Sequence, residues 1–363
     1  MDSASSKRSA VRPAPDGEKL NAFLGRMVGE LGAIATGALV VLGDRLGLYK
    51  AMASGEKLSS GELARRTGTT ERYVREWLAA QAAAGYVEYD EATNLFYLTP
   101  EQACVFADED SPAAMAGAFE VLSSFWLDEP KIAEAFRTGR GVGWHDHSKC
   151  LFRGTERFFR PGYNTNLVSA WLPALESVVE KLQRGATVAD VGCGHGTSTI
   201  VMARAFPNSQ FVGFDYHAAS IDCAREAAAD LGVAANTRFE VADAKTFEGR
   251  FDLVAFFDCL HDMGDPVGAA QHVRSTLAPD GTWMVVEPFA HDRLRENLNP
   301  VGRIYYAGST MICTPCSLSQ EVGLGLGAQA GELRLRQVIT AGGFTRFRRA
   351  AETPFNLVFE ARP

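Results

Sequence analysis

The fold is decided by the stretch ATVADVGCGHGTSTIVMARAFP, residues 186–207. Residues 187–191 form a short apolar run that reads as a strand, and residues 197–206 read as a helix. Between them Gly192, Gly194 and Gly196 make a tight turn. Glycines there let the backbone approach a ligand, and the helix start supplies unpaired N–H groups. A dinucleotide fold asks for G-x-G-x-x-G, whereas the spacing here is G-x-G-x-G followed by Thr197. Asp190, just before the turn, would repel a pyrophosphate and suits a ligand with a positive amine. Cys193, inside the turn, reads as no more than a small residue. From residue 186 onward the pattern is strand, glycine turn, helix, strand, which is the signature of an α/β sheet.

Working outward, the next strand, QFVGFD, ends at Asp215, where a carboxylate can take both hydroxyls of a ribose. The third, TRFEVADA, carries Asp243 at its end, placed to hydrogen-bond an adenine amino group. The fourth, FDLVAFFDCLHDM, ends near Asp258. With these acids in register, residues 186–363 resemble the class I S-adenosylmethionine-dependent methyltransferases. D-V-G-C-G-H-G resembles their first motif, and Asp215 and Asp243 resemble their ribose and adenine acids. The resemblance implies a Rossmann-like sheet of seven strands, the last antiparallel. It also implies S-adenosylmethionine as cofactor, S-adenosylhomocysteine as product, and a cofactor site of Asp190, Gly192, Gly194, Gly196, Asp215, Tyr216, Asp243, Ala244 and Asp258.

Ligands of open α/β sheets bind at the carboxyl ends of the strands. The residues after the fourth strand, Asp258-Cys259-Leu260-His261-Asp262-Met263, are therefore placed for chemistry. In the O-methyltransferases that the chain resembles, His-Asp-Trp follows this strand and the His removes the acceptor's proton. His261 and Asp262 match, while Met263 stands where the Trp would be. An imidazole with a pKa near 6.5 suits that task; the alternative is a capping or hydrogen-bonded structural His. Glu287, at the end of the fifth strand TWMVVEPF, is placed to orient the His261 ring, a role the resemblance also gives it. The resemblance suggests a second acid, for which Glu332 is the nearest match.

Two aromatic segments are candidates for the acceptor pocket. Residues 141–168 offer Trp144, His145, Phe159 and Tyr163, and residues 302–320 offer Tyr305 and Met311. Packing between domains is the competing reading. His145, His147 and Cys150, like the pair Cys313 and Cys316, invite a zinc reading, but neither has a full ligand set at finger-like spacing, so no metal is expected.

The N-terminal region is of another kind. LSSGELARRTGTTERYVREWLAAQAAAGYVEYD, residues 58–90, reads as two helices and a strand that pairs with LFYLTP in a wing. Ser60 is placed to cap the first helix, and Val74, Leu78 and Ala82 face inward from the second. This is a winged helix-turn-helix, and the whole chain resembles small-molecule O-methyltransferases that carry one. DNA binding is disfavoured by charge. Between residues 59 and 99, Arg65, Arg66, Arg72 and Arg75 are outweighed by Glu62, Glu71, Glu76, Glu88, Asp90 and Glu91. The 363 residues carry a formal net charge of -8, which argues against a general polyanion binder.

Hydrophobic residues make up 46% and charged residues 22%, the composition of a folded protein. The expected domains are a disordered lead-in (1–18), a winged-helix and dimerisation domain (19–109), a helical connector contributing to the acceptor pocket (110–184) and a cofactor-binding domain (185–363). The longest apolar stretch, residues 31–43, falls short of the roughly 18–20 residues a bilayer needs and is followed by Asp44 and Arg45. Residues 31–48 are apolar on too many sides for a lone surface helix, so a homodimer built through the N-terminal helices is expected. Seven scattered cysteines fit reduced thiols in a cytoplasm. The function expected is methyl transfer to a small-molecule hydroxyl, with a nitrogen or sulfur acceptor, or a cofactor-sensing DNA-binding regulator, as alternatives.

Overall fold

The computed structural model describes residues 14–363. The expected lead-in lies outside the described residues up to position 13, and the first helix already begins at Gly17. The chain divides into two compact units, residues 1–103 and 104–363.

The first unit opens with α1 (Gly17–Arg45), capped by Asp16, whose side chain accepts the Glu18 and Lys19 N–H groups. It continues with α2 (Ser60–Thr67), α3 (Glu71–Ala83) and an antiparallel wing of β1 (Glu88–Asp90) and β2 (Leu95–Tyr97). Ser59, not Ser60, caps α2, because its hydroxyl is the one that reaches the Glu62 N–H. Val74, Trp77, Leu78 and Gln81 form the buried face of α3. The arginines expected to matter for nucleic acid are engaged locally: Arg72 with Glu76 at 2.5 Å, Arg75 with Glu71 at 2.7 Å and Arg66 with Glu62 at 2.8 Å.

One expectation changes. The apolar run at 31–43 is part of a 29-residue helix that extends upstream to Gly17, so α1 is by length and composition able to cross a membrane. The short stretch concealed this because Arg26 and Glu30 interrupt the apolar run, while Leu20, Phe23, Leu24, Met27 and Val28 continue the helix between and upstream of them. Only its later part packs, through Thr36, Val40, Val41 and Gly43.

The second unit is a seven-stranded sheet with helices on both faces. In chain order its strands are β3 (Thr187–Val191), β4 (Gln210–Asp215), β5 (Thr237–Val241), β6 (Phe251–Phe257), β7 (Leu277–Pro288), β8 (Arg346–Glu352) and β9 (Asn356–Arg362). They lie in the order β5-β4-β3-β6-β7-β9-β8. All pair in parallel except β9, which runs antiparallel to β7 and β8. The order reverses beside β3, so the crevice of a doubly wound sheet opens over the glycine turn and the end of β6.

Alternate residues of the buried strands fill two cores. Val188, Ala255, Phe257 and Val286 face one way, and Ala189, Val254, Phe256 and Val285 the other. The first core also takes in Tyr163, Leu167, Trp171 and Leu172. Residues 104–184 thus fall in the same compact unit as the sheet.

Two helices of this segment, α4 (Ala116–Thr138) and α5 (Cys150–Gly162), cross with their backbones nearly touching. A Cβ at Gly154 would stand 2.7 Å from the Val121 nitrogen, so only glycine fits. Gly154→Ala should therefore destabilise the protein by about 1–3 kcal/mol through overpacking. Chemical denaturation checks this; an unchanged midpoint would mean the helices can part freely.

Candidate functional site

A cavity of about 1120 Å³, counted out to its open mouth, lies over the carboxyl ends of β3 to β6. The glycine turn forms its floor. The Gly192 and Cys193 N–H groups both donate to the Phe214 carbonyl, at 2.7 and 3.0 Å, which ties the turn to the end of β4. Gly192 has φ +76°, and a Cβ there would meet Cys259 Sγ at 2.8 Å, so this position is closed to larger residues.

Asp215 braces the same turn. One carboxylate oxygen accepts the Gly194 N–H at 2.9 Å and the other the His217 N–H at 2.8 Å. Burial pushes its pKa up while these two donors pull it down. Lone pairs remain on both oxygens for further donors. Asp190 sits beneath the turn. Its Oδ2 accepts the Ser198 and Thr199 hydroxyls, each at 2.6 Å, and burial drives its pKa up to about 6.

The cofactor candidates Gly192, Gly194, Asp215, Tyr216, Asp243, Ala244 and Asp258 all line the cavity; Asp190 and Gly196 lie behind it. Of the acceptor candidates, Trp144, Phe159 and Tyr163 line it. His145 does not and remains exposed, edge-on to Tyr216 at 6.4 Å. Tyr305 donates its hydroxyl to the Phe355 carbonyl at 2.8 Å, and Met311 packs on a small core with Leu151 and Ile312. Glu332 lies away from the cavity, bound to Arg336 and Arg349.

The sequence reading named Phe159 and Tyr163 but missed Phe152, Thr155 and Glu156, which complete the same wall of the cavity. The spacing 3, 1, 3, 4 is one stripe of a helix, a signal present in the sequence. Tyr163 and Asn356 also meet Asp258: the Tyr163 hydroxyl is 3.5 Å and the Asn356 amide 2.9 Å from its carboxylate.

His261 and Glu287 meet behind the end of β6. His261 Nδ1 is 2.6 Å from Glu287 Oε2, and the other oxygen of Glu287 accepts the Leu260 N–H at 3.0 Å. His261 is 3% exposed and does not itself line the cavity; its neighbour Asp262 does. His261 Nε2 faces Asp262 Oδ1 at 3.2 Å. Burial alone would lower the imidazole pKa, but Glu287 and then Asp262 override it and hold it well above the ordinary value. Burial raises the Asp262 and Asp258 carboxyls. His261, Asp262 and Cys313 present their ligand atoms within 4.8 Å of one another.

Residues 182–329 match the family described as "Methyltransferase domain", and residues 34–107 the one described as "Rv2258c-like winged HTH domain". A trans-aconitate 2-methyltransferase of Deinococcus radiodurans is 33% identical over 113 residues, 31% of this chain and 42% of that protein. A ubiquinone biosynthesis O-methyltransferase of Actinobacillus pleuropneumoniae is 30% identical over 27% of this chain and 43% of its own length. The chain thus spans under half the length of these curated relatives.

Among solved structures, the mitomycin 7-O-methyltransferase MmcR superposes with a TM-score of 0.69 at 18% identity, covering 96% of this chain and 100% of that one. An O-methyltransferase family protein of Burkholderia thailandensis gives 0.67 at 16% identity, over 96% and 99%. Human N-acetylserotonin methyltransferase, solved with S-adenosylmethionine, gives 0.66 at 15%, over 97% and 99%. The fold is that of the class I S-adenosylmethionine-dependent methyltransferases.

Because the folded chain holds the His261 proton more tightly than the unfolded chain, the pair stabilises the fold fully below the unfolded value near 6.5. That contribution is lost as pH rises through the folded value. NMR titration, with His261 assigned by its loss in His261→Asn, should give a midpoint above 6.5. Glu287→Gln should lower it. A native midpoint at or below 6.5 would contradict the paired geometry.

Proposed function

We propose that this chain, a winged helix-turn-helix domain joined to a methyltransferase domain, transfers a methyl group from S-adenosylmethionine to a hydroxyl of a small molecule. The observation that carries the cofactor reading is the glycine turn braced by Asp215, with Asp243 at the end of the next strand, all facing one cavity. These groups fit the cofactor: Asp215 keeps acceptor capacity for ribose hydroxyls, Asp243 faces the place for an adenine amine, and the acids at Asp190 and Asp258 favour a ligand carrying positive charge. When bound, S-adenosylmethionine supplies a methyl group already activated as a sulfonium.

The chain's own residues orient the acceptor and take its proton. Asp262 offers the carboxylate that faces the cavity, and His261 stands behind it, held by Glu287. In the form of the chain whose His261 ring has given up its proton, the proton leaves the acceptor oxygen towards Asp262 and passes to His261, whose charged form the two carboxylates stabilise. Trp144, Phe159 and Tyr163 supply the apolar walls. Among the described residues no Lys or Arg lines the cavity, whereas Glu156, Asp215, Asp243, Asp258 and Asp262 do. This lining favours a neutral or cationic acceptor over an anionic one placed beside the carboxyl groups.

The N-terminal unit serves association rather than nucleic-acid binding, Arg66, Arg72 and Arg75 of its helix-turn-helix being paired with glutamates. Phe23, Leu24, Val28, Leu31 and Ile34 of α1 are exposed, and a second copy of the chain in the cytoplasm would cover them. Light scattering at micromolar concentration should give a dimer mass; a monomer, or capture by lipid vesicles, would overturn this. Calorimetry should show Asp215→Ala weakening S-adenosylmethionine by roughly 1–3 kcal/mol, and unchanged affinity would sink the ribose assignment. Incubation with labelled cofactor and fractionated extract should label neutral or cationic compounds. Label confined to anionic compounds would contradict the charge argument.

A further inference from the structure

His261, Asp262 and Cys313 form a group that proton transfer does not fully use. Cys313 is buried, and its thiol lies among the three ligand atoms within 4.8 Å of one another. The separation of 3.2 Å between His261 Nε2 and Asp262 Oδ1 is close to the about 3.3–3.8 Å between neighbouring ligands of a tetrahedral zinc ion with bonds of 2.0–2.3 Å. Asp262 Oδ1 is buried and receives no aligned hydrogen bond among the described residues. His261 presents Nε2 because Glu287 holds Nδ1 at 2.6 Å, which is the carboxylate–histidine arrangement that fixes metal-ligating rings.

The surroundings favour a cation. Asp258, Asp262 and Glu287 stand together, and the charge of each is felt at His261 or at one another. The nearby buried carboxylate Asp128, by contrast, has Lys131 at 2.8 Å. Asp128 also holds His147 Nδ1 at 3.1 Å, leaving His147 Nε2 buried and unpartnered among the described residues, within electrostatic reach of Asp262.

We propose that His261 Nε2, Asp262 Oδ1 and Cys313 Sγ bind a thiophilic divalent cation of the zinc type, with one coordination position open towards His147 or solvent. One thiolate, one imidazole and one carboxylate suit zinc rather than magnesium or calcium, which take oxygen ligands. On binding, the S–H bond of Cys313 and the Nε2–H bond of His261 break, metal–sulfur and metal–nitrogen bonds form, and both protons pass to buffer. The ion occupies the nitrogen that would otherwise hold the acceptor's proton, so a filled site inhibits methyl transfer. The inhibition rests on the function proposed above; the binding does not.

Cobalt(II) serves as the spectroscopic probe for the full-length protein stripped with a chelator. One equivalent should produce a thiolate-to-cobalt charge-transfer band, and one equivalent of zinc should abolish it. Cys313→Ser should lack the band, while Cys316→Ser should keep it. Glu287→Gln should bind zinc about 10–100-fold more weakly, since it alters the carboxylate behind the ligating ring. Circular dichroism and S-adenosylmethionine calorimetry establish that each variant is folded. No band in the native protein, a band surviving in Cys313→Ser, or one lost in Cys316→Ser would overturn the proposal. If no acceptor is ever methylated, the spectral result still stands or falls by itself.

Discussion

A buried carboxylate–imidazole contact, Glu287 to His261 at 2.6 Å, is the interaction on which the site depends. It exists because β6 and β7 are parallel neighbours whose ends lie side by side, Phe257 opposite Val286. The chain then needs only a short turn to bring His261 onto Glu287. Glu287 is almost wholly buried, and its second oxygen is fixed by the Leu260 N–H. Removing one partner of such a pair typically costs about 3–5 kcal/mol, because the survivor is left charged and buried. The strand ends therefore set the position of the imidazole, and the imidazole keeps the carboxylate tolerable.

The same constraint shapes the cavity. Glu287 and Asp262 hold the His261 pKa high, so the ring is a strong proton acceptor once deprotonated. Asp262 is the cavity-facing member, so the His261 ring lies one side chain behind the cavity wall. Among the described residues no Lys or Arg lines the cavity, whereas Glu156, Asp215, Asp243, Asp258 and Asp262 do.

Much of this was legible in the sequence because it rests on local geometry. The glycine turn and the acids at successive strand ends need only the period of a parallel sheet to be brought together, and so Asp215, Asp243 and Glu287 could be read from their places on the strands. Residues joined by long-range packing were less legible. Tyr305 turns its hydroxyl to a backbone carbonyl, and Met311 fills a local core; neither preference is written in residue type. The stripe of Phe152, Thr155, Glu156, Phe159 and Tyr163 was readable as one helix face, but which face meets the cavity depends on the contact of α5 with α4. The approach of Cys313 to His261 joins segments about fifty residues apart and has no spacing signature.

The central claim is that His261 receives the acceptor's proton. Single-turnover methyl transfer by native protein and His261→Asn, both saturated with S-adenosylmethionine and supplied with the acceptor found in extract, tests it most directly. The account predicts unchanged cofactor affinity and a transfer rate reduced by roughly a hundred- to ten-thousand-fold in the variant. A native-like rate would contradict it and would point instead to an acceptor that loses no proton before attack, with catalysis by orientation alone.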